Sequence, residues 1–285
     1  LLNAGADLEA RNKDGRTPLL FAARNNTNPE VLQVLLDAGA DLEARNEYGW
    51  TPLMYAAWGN ENPEVLQVLL NAGADLKARN KDGNTPLLLA ARYNENPEVV
   101  QALLDAGADL EARDEDGWTS LLLAARNNEN PEIVQALLDA GADLEARTEY
   151  GWTPLMYAAW NNENPEVLQV LLYAGADAEA RNKDGWTSLM YAAATHSNPE
   201  VVQVLLNAGA DLEARNKDGW TPLMFAARNN TNPEVVQALL DAGADATAKN
   251  GEKETAWDLI QDNEALRGTK AYWRLNDLRY RNARD

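Results

Sequence analysis

An all-α solenoid, made by stacking helix-turn-helix units side by side, is the fold the sequence predicts. Three observations lead there. The glycine of an Ala-Gly-Ala-Asp motif recurs at Gly5, Gly39, Gly73, Gly107, Gly141, Gly175, Gly209 and Gly243, every 34 residues. A threonine ahead of a short apolar run recurs with the same period at Thr17, Thr51, Thr85, Thr119, Thr153, Thr187, Thr221 and Thr255. Within each period two helix-start signals precede two amphipathic runs, and neither run can bury its apolar stripe without a neighbour. A single large globular domain, which 285 residues would otherwise suggest, is therefore the wrong picture.

The unit from Asn12 to Arg45 shows how each element arises. Lys13-Asp14-Gly15 is a turn signal, because Asp-Gly readily supplies a positive φ. Thr17-Pro18 opens the first helix: the hydroxyl caps free N–H groups, and proline at the first helical position forfeits no hydrogen bond. Leu19, Ala22 and Ala23 give that helix an apolar face small enough for close neighbours. Asn28-Pro29-Glu30 repeats the start signal, with an acid near the positive end of the helix dipole. Val31, Val34, Leu35 and Ala38 are the expected buried stripe of the second helix, and Gly39 its left-handed C-cap.

The ends depart from this pattern. Residues 1–11 read as the tail of an incomplete repeat, residues 12–249 as seven full repeats, and residues 250–285 as a divergent cap. With no N-terminal capping repeat visible, the expectation is a fragment of a longer array or an array trimmed at this end. In the cap, Thr255 to Leu266 and Thr269 to Asn282 are expected helices. The second carries Tyr272, Trp273, Leu275, Leu278 and Tyr280 to cover the open end, with Arg274, Arg279, Arg281 and Arg284 facing water.

The repeat resembles the ankyrin repeat. The resemblance rests on Thr-Pro-Leu followed by Ala-Ala, on an Asp-Gly tip, and on Gly-Ala-Asp-Leu after the second helix, from Leu1 to about Ile260. Three features depart from the family's pattern. The period is 34 rather than the usual roughly 33, the extra residue falling within Asn26 to Glu30. The family's histidine after Thr-Pro-Leu is Leu20, Met54, Leu88, Leu122, Met156, Met190 or Met224 here, so apolar packing replaces a histidine network. Ser120 and Ser188 stand where the other units have proline. The resemblance implies an ankyrin solenoid with short hairpin tips and a helical C-terminal cap, acting as a protein-binding module.

Composition excludes several classes of function. No cysteine is present, so there is no disulfide framework, thiolate metal site or cysteine nucleophile. The net charge of −20 opposes generic binding to phosphate backbones and favours a basic or charge-mixed protein partner. Apolar runs of about five residues are far short of the roughly 20 of a membrane span. Residues 1–10 lack the basic-then-apolar pattern of a signal peptide, which favours a cytoplasmic setting.

Catalytic residues are scarce. His196 is the only histidine, and Thr195-His196-Ser197 reads as a variable loop rather than a dyad. Asp114-Glu115-Asp116-Gly117 has a passing likeness to a calcium loop, but Ala125 stands where the twelfth-position acid belongs. The expectation is a non-enzyme without cofactor or metal. Glu9, Glu43, Glu111, Glu145, Glu179 and Glu213 form one column of repeat positions, and Arg11, Arg45, Arg79, Arg113, Arg147, Arg181 and Arg215 another. Stacked at about 10 Å, the two columns are expected to neutralise each other partly.

Positions that vary between copies are free of stacking duty, so selectivity can reside there. The residue after the tip glycine is Arg16, Trp50, Asn84, Trp118, Trp152, Trp186 or Trp220, and the residue before it is Asp or Tyr. The first helix ends in Arg24, Trp58, Arg92, Arg126, Trp160, Ala194 or Arg228. In the resembled family these positions line a concave, partner-holding groove. Trp, Tyr and Arg are the residue types that dominate binding hot spots. The candidate partner-binding residues are therefore Tyr48, Trp50, Trp58, Arg92, Tyr93, Trp118, Arg126, Tyr150, Trp152, Trp160, Trp186 and Trp220. The competing expectation is that the tip tryptophans stack on one another and only rigidify the array, as in a spacer or an engineered consensus-like scaffold with no dedicated partner. The block Glu47 to Trp58 recurs unchanged as Glu149 to Trp160, 102 residues on, as duplication or as two anchors about 30 Å apart. The expected partner is a protein, basic or elongated, bound by a monomer.

Overall fold

The computed structural model describes residues 5–279, which are helical and free of strands. They fall into two compact units that divide between Asp143 and Leu144. The first unit holds helices α1 (Pro18–Asn25), α2 (Pro29–Asp37), α3 (Pro52–Gly59), α4 (Pro63–Asn71), α5 (Pro86–Tyr93), α6 (Pro97–Asp105), α7 (Ser120–Asn127) and α8 (Pro131–Asp139). The second holds α9 (Pro154–Asn161), α10 (Pro165–Tyr173), α11 (Ser188–Thr195), α12 (Pro199–Asn207), α13 (Pro222–Asn229), α14 (Pro233–Asp241), α15 (Ala256–Ile260) and α16 (Lys270–Leu278). Within each unit first helices pack on first helices and second helices on second, as in α1 on α3 on α5 and α2 on α4 on α6.

Local chemistry sets every boundary. Thr51 Oγ1 accepts the Met54 N–H at 3.3 Å and Pro52 takes the first helical position. Asn62 Oδ1 accepts the Glu64 N–H at 3.0 Å to open α4. At the end of α2, the Gly39 N–H bonds the Leu36 carbonyl and the Ala40 N–H bonds the Leu35 carbonyl. Gly39 has φ +93°, so this is the left-handed Schellman stop. The tips close in the same way: the Asn46 side chain accepts the N–H groups of Tyr48 and Trp50. Tip then bonds to tip, Lys81 N–H to the Tyr48 carbonyl at 3.0 Å and Glu115 N–H to the Asp82 carbonyl at 3.2 Å. At Gly83, with φ +76°, a Cβ would lie 2.8 Å from the Glu115 nitrogen, so the tips come this close only because glycine stands there.

Several expectations are corrected. The second-helix stripe is narrower than the sequence implied. In α4 the buried residues are Val65, Leu66 and Leu69. Their counterparts in α2 are Val31, Leu32 and Leu35, whereas Val34 is 52% exposed and Ala38 is exposed. The packed line runs i, i+1, i+4, so Val34 and its half-buried counterpart Val68 lie at its edge, and Ala38, like Ala72, falls at the exposed helix end. In the cap, α15 stops at Ile260 and residues 261–268 form turns rather than helix, while Thr269 caps α16. Tyr280, Arg281 and Arg284 lie outside the described residues.

The charge columns meet at Arg147 and Glu145, 3.9 Å apart, and each also grips the backbone of the next repeat. Glu43 accepts the Asp75 N–H at 2.8 Å, and Arg45 Nη1 donates to the Arg79 carbonyl at 2.9 Å. The same bonds recur at Glu179 to Asp211 and Arg181 to Arg215. A fixed backbone acceptor or donor one repeat away is a better partner for these side chains than a mobile, solvated charge.

Asparagine supplies a second ladder. Asn94 Nδ2 donates to the Ala57 carbonyl at 2.9 Å and the Asn60 carbonyl at 3.1 Å, while its Oδ1 accepts the Asn96 N–H at 2.9 Å. Asn60, Asn128, Asn230 and Asn263 make equivalent bonds to the preceding loop. His196 occupies this ladder position. It is buried, and its Nε2–H donates to the Asn162 carbonyl at 2.9 Å. The residue is a spine member, and not the free loop side chain its neighbours in sequence implied.

Candidate functional site

The tips and the first helices bring the variable aromatic and arginine side chains together. Each tip tryptophan follows the glycine whose positive φ turns the chain. Its backbone N–H is fixed by the side chain four residues back, as Trp186 N–H is by Asn182 Oδ1 at 2.9 Å. The ring then folds over the first helix and is only half exposed.

In the first unit, Trp50 lies 5.0 Å from Tyr55 and 5.4 Å, edge-on, from Trp58; Trp58 in turn lies 6.3 Å from Tyr93. Arginines cover the rings. The Arg24 guanidinium sits 4.2 Å above Trp58, Arg92 sits 4.9 Å above Tyr93 and Arg126 5.1 Å above Trp118. Arg16 stands 5.2 Å over Tyr55 and donates from Nε to its hydroxyl at 3.1 Å. Such pairs carry about 0.5–1 kcal/mol each at exposed sites. A cleft of about 560 Å³ opens between Trp50, Trp58 and Tyr93, walled also by Asn84, Leu89, Asp82 and Asp116.

In the second unit the rings form a continuous ladder. Trp160 meets Trp152 edge-on at 5.4 Å. Trp152 stacks on Tyr157 at 4.7 Å and on Tyr191 at 4.0 Å. Tyr191 leads to Trp186 at 4.7 Å, then Phe225 at 4.0 Å, then Trp220 at 5.1 Å. The Asn182 Nδ2 donates to the Tyr191 hydroxyl at 2.7 Å. Burial raises the Tyr191 phenol's pKa well above its ordinary value, with the nearby Asp184 adding to the effect, so the hydroxyl stays protonated.

The tip tryptophans therefore do not stack on one another. They are linked through Tyr55, Tyr157, Tyr191 and Phe225, residues of the first helix that sequence reasoning passed over. The signal that could have found them is an aromatic four residues after the repeat threonine in five of seven repeats, with Leu89 and Leu123 in the other two. The most accessible of the twelve candidates are the tyrosines: Tyr48 is 63% exposed, Tyr150 68% and Tyr93 47%.

Charges in the site are perturbed chiefly by burial. Asp114 stands where the preceding tip has Asn80, and burial raises its carboxyl above its ordinary value. Two backbone N–H groups, those of Trp118 and Asp116, oppose the rise. His196 is held below the usual imidazole value, again mainly by burial, against the Asn162 carbonyl it bonds. Among the described residues no group of three or more His, Asp or Glu is placed to hold a metal ion, and no helix is long and apolar enough to cross a membrane.

Helix pairs stacked in register and joined through hairpin tips define a helical repeat protein of the kind that presents side chains on a preformed surface. The chain belongs to the ankyrin-repeat family: a family model described as ankyrin repeats in three copies matches residues 1–80, 59–148, 87–182 and 155–250. Among solved structures, the ankyrin repeat domain of human ASB11 is similar, at 27% identity and a TM-score of 0.70, over 80% of this chain and 98% of that one. No curated protein matches the chain. Domains of this family generally mediate protein–protein interaction and are typically non-enzymatic.

Proposed function

We propose that the chain is a non-enzymatic module that binds a protein partner through the face formed by its tips and first helices. The twelve aromatic and arginine residues named above supply the contacts, and residues 250–285 close the array as a cap. The observation that carries this reading is the layering of the first unit's site. Half-buried Trp50, held by the Asn46 side chain, and Trp58, overlaid by Arg24 and edge-on to the exposed Tyr93, line one cleft with the exposed Tyr48. Anchors held in place before binding lose little entropy on association, so their buried area converts efficiently into affinity. The partner is basic or elongated, as a surplus of 45 acids over 25 bases favours.

The continuous ring ladder of the second unit favours a second reading, a rigid scaffold without a dedicated partner. Capture of partners from cells, identification, and titration against Tyr93→Ala and Tyr150→Ala separate the two. Binding weakened at least tenfold by either change supports the module. Unchanged affinity for every captured partner supports the scaffold.

A further inference from the structure

The two aromatic clusters differ by one missing rung. In the second unit Trp152 is sandwiched between its own Tyr157 and the next repeat's Tyr191, with Trp186 beyond. In the first unit the matching positions of the next repeat are Leu89 and Asn84; the buried Leu89 packs against Trp50 but brings no ring, so Trp50 meets only its own repeat's Tyr55 and Trp58. The cleft of about 560 Å³ opens at this place. A second mark of the missing ring lies beneath it. Asn182 Nδ2 donates to the Tyr191 hydroxyl, whereas its counterpart, the buried Asn80 Nδ2, has no hydrogen-bond partner. The walls also show which charges are committed. Arg16, Arg24 and Arg92 lie over Tyr55, Trp58 and Tyr93, while the exposed Asp82 and Asp116 carboxylates have no cation within ion-pair distance.

We infer that this cleft receives one aromatic side chain of a protein segment, seated against Trp50 in place of the missing rung, with an adjacent lysine or arginine on Asp82 and Asp116. The second unit provides the template for the ring, since the same backbone frame there holds Tyr191 against Trp152 at 4.0 Å. Offset ring contacts of this kind add to the gain from buried area, and the open carboxylates select the basic neighbour. The inference rests on the protein-binding reading above and deepens it by naming the segment's chemistry.

The test uses the full chain and a phage-displayed library of random short peptides as probe. Enriched peptides are then synthesised and titrated against the wild type and Leu89→Tyr. The added phenol fills the rung from within, stacks on Trp50 and reaches Asn80 Nδ2, so the variant melts higher than the wild type. A loss of binding in it is then not a loss of fold. The expected result is a consensus of an aromatic next to Lys or Arg, with affinity lost at least tenfold in Leu89→Tyr and at least threefold in Asp116→Asn. Peptides that bind Leu89→Tyr as tightly as wild type overturn the inference and leave the protein-binding reading standing. Failure to enrich any peptide overturns both.

Discussion

Replacing His196 by asparagine isolates the energetics of the hydrogen-bonded spine. At the same ladder position Asn94 makes three side-chain bonds, to the Ala57 carbonyl, the Asn60 carbonyl and the Asn96 N–H. His196 makes one, to the Asn162 carbonyl. His196→Asn therefore restores two bonds, each contributing about 0.5–1.5 kcal/mol net, for a gain of about 1–3 kcal/mol. The change also removes a titration. Burial holds the folded imidazole below its ordinary value of 6.5, so the unfolded chain takes up the proton first. The contribution is intact above pH 6.5 and is lost as the pH falls towards the folded value. Because His196 is the only histidine, this slope is separable from that of the carboxylates. Hydrogen exchange at the amides of α11 and α12, measured at pH 7.5 and pH 5.5, reads the local opening energy without assuming that the array unfolds in one step. Stronger protection at both pH values, with a larger gain at pH 5.5, is expected. Weaker protection in His196→Asn, or an equal gain at both pH values, would refute the reasoning.

Three further outcomes follow from the same geometry. Asn94→Ala strands two buried carbonyls, and hydrogen exchange at the amides of α3 and α5 should show the local opening energy lowered by about 2–4 kcal/mol. Ser188→Pro should raise the melting temperature: Ser188 occupies the first position of α11, its buried hydroxyl has no partner, and Thr187 before it is extended, as a residue preceding proline must be. The gain is about 1–2 kcal/mol, and Ser120→Pro should behave alike. Asp114→Asn keeps the acceptor for Asp116 and Trp118 while removing a charge that burial disfavours. A carboxyl whose folded value is raised costs stability as the pH climbs from its ordinary value, 3.8, through the folded one. The variant's advantage, a few tenths of a kcal/mol, should be greatest at neutral pH and vanish near pH 3 in thermal melts.

The fold was legible because its determinants are local. Thr51-Pro52, Asn62-Pro63 and Gly73 each fix one boundary through a cap, a pre-set φ or a left-handed stop, and these signals recur along the array, with Ser120 and Ser188 in place of two of the prolines. What lay hidden depends on contacts one repeat away. Asn60 reads locally as a loop residue, and only the stacked neighbour shows that it holds Ala23 and Asn26. Glu43 and Arg45 read as an opposite pair, yet both reach the next repeat's backbone. The site was legible as residue types and positions. Which rings face outwards was not, because the half-burial of Trp50 and Trp152 depends on Tyr55, Tyr157 and Tyr191 rising beside them.

The central claim is that partners are held by the tips and first helices rather than by the second helices. Crosslinking of a captured partner to the full chain, with mapping of the joined residues, tests it most directly. The account predicts crosslinks concentrated at the tips and first-helix ends, around Tyr48, Tyr93, Lys183 and Lys217, all on exposed positions. Crosslinks concentrated instead on the exposed side of the second helices, around Glu64, Gln67 and Tyr173, would contradict it.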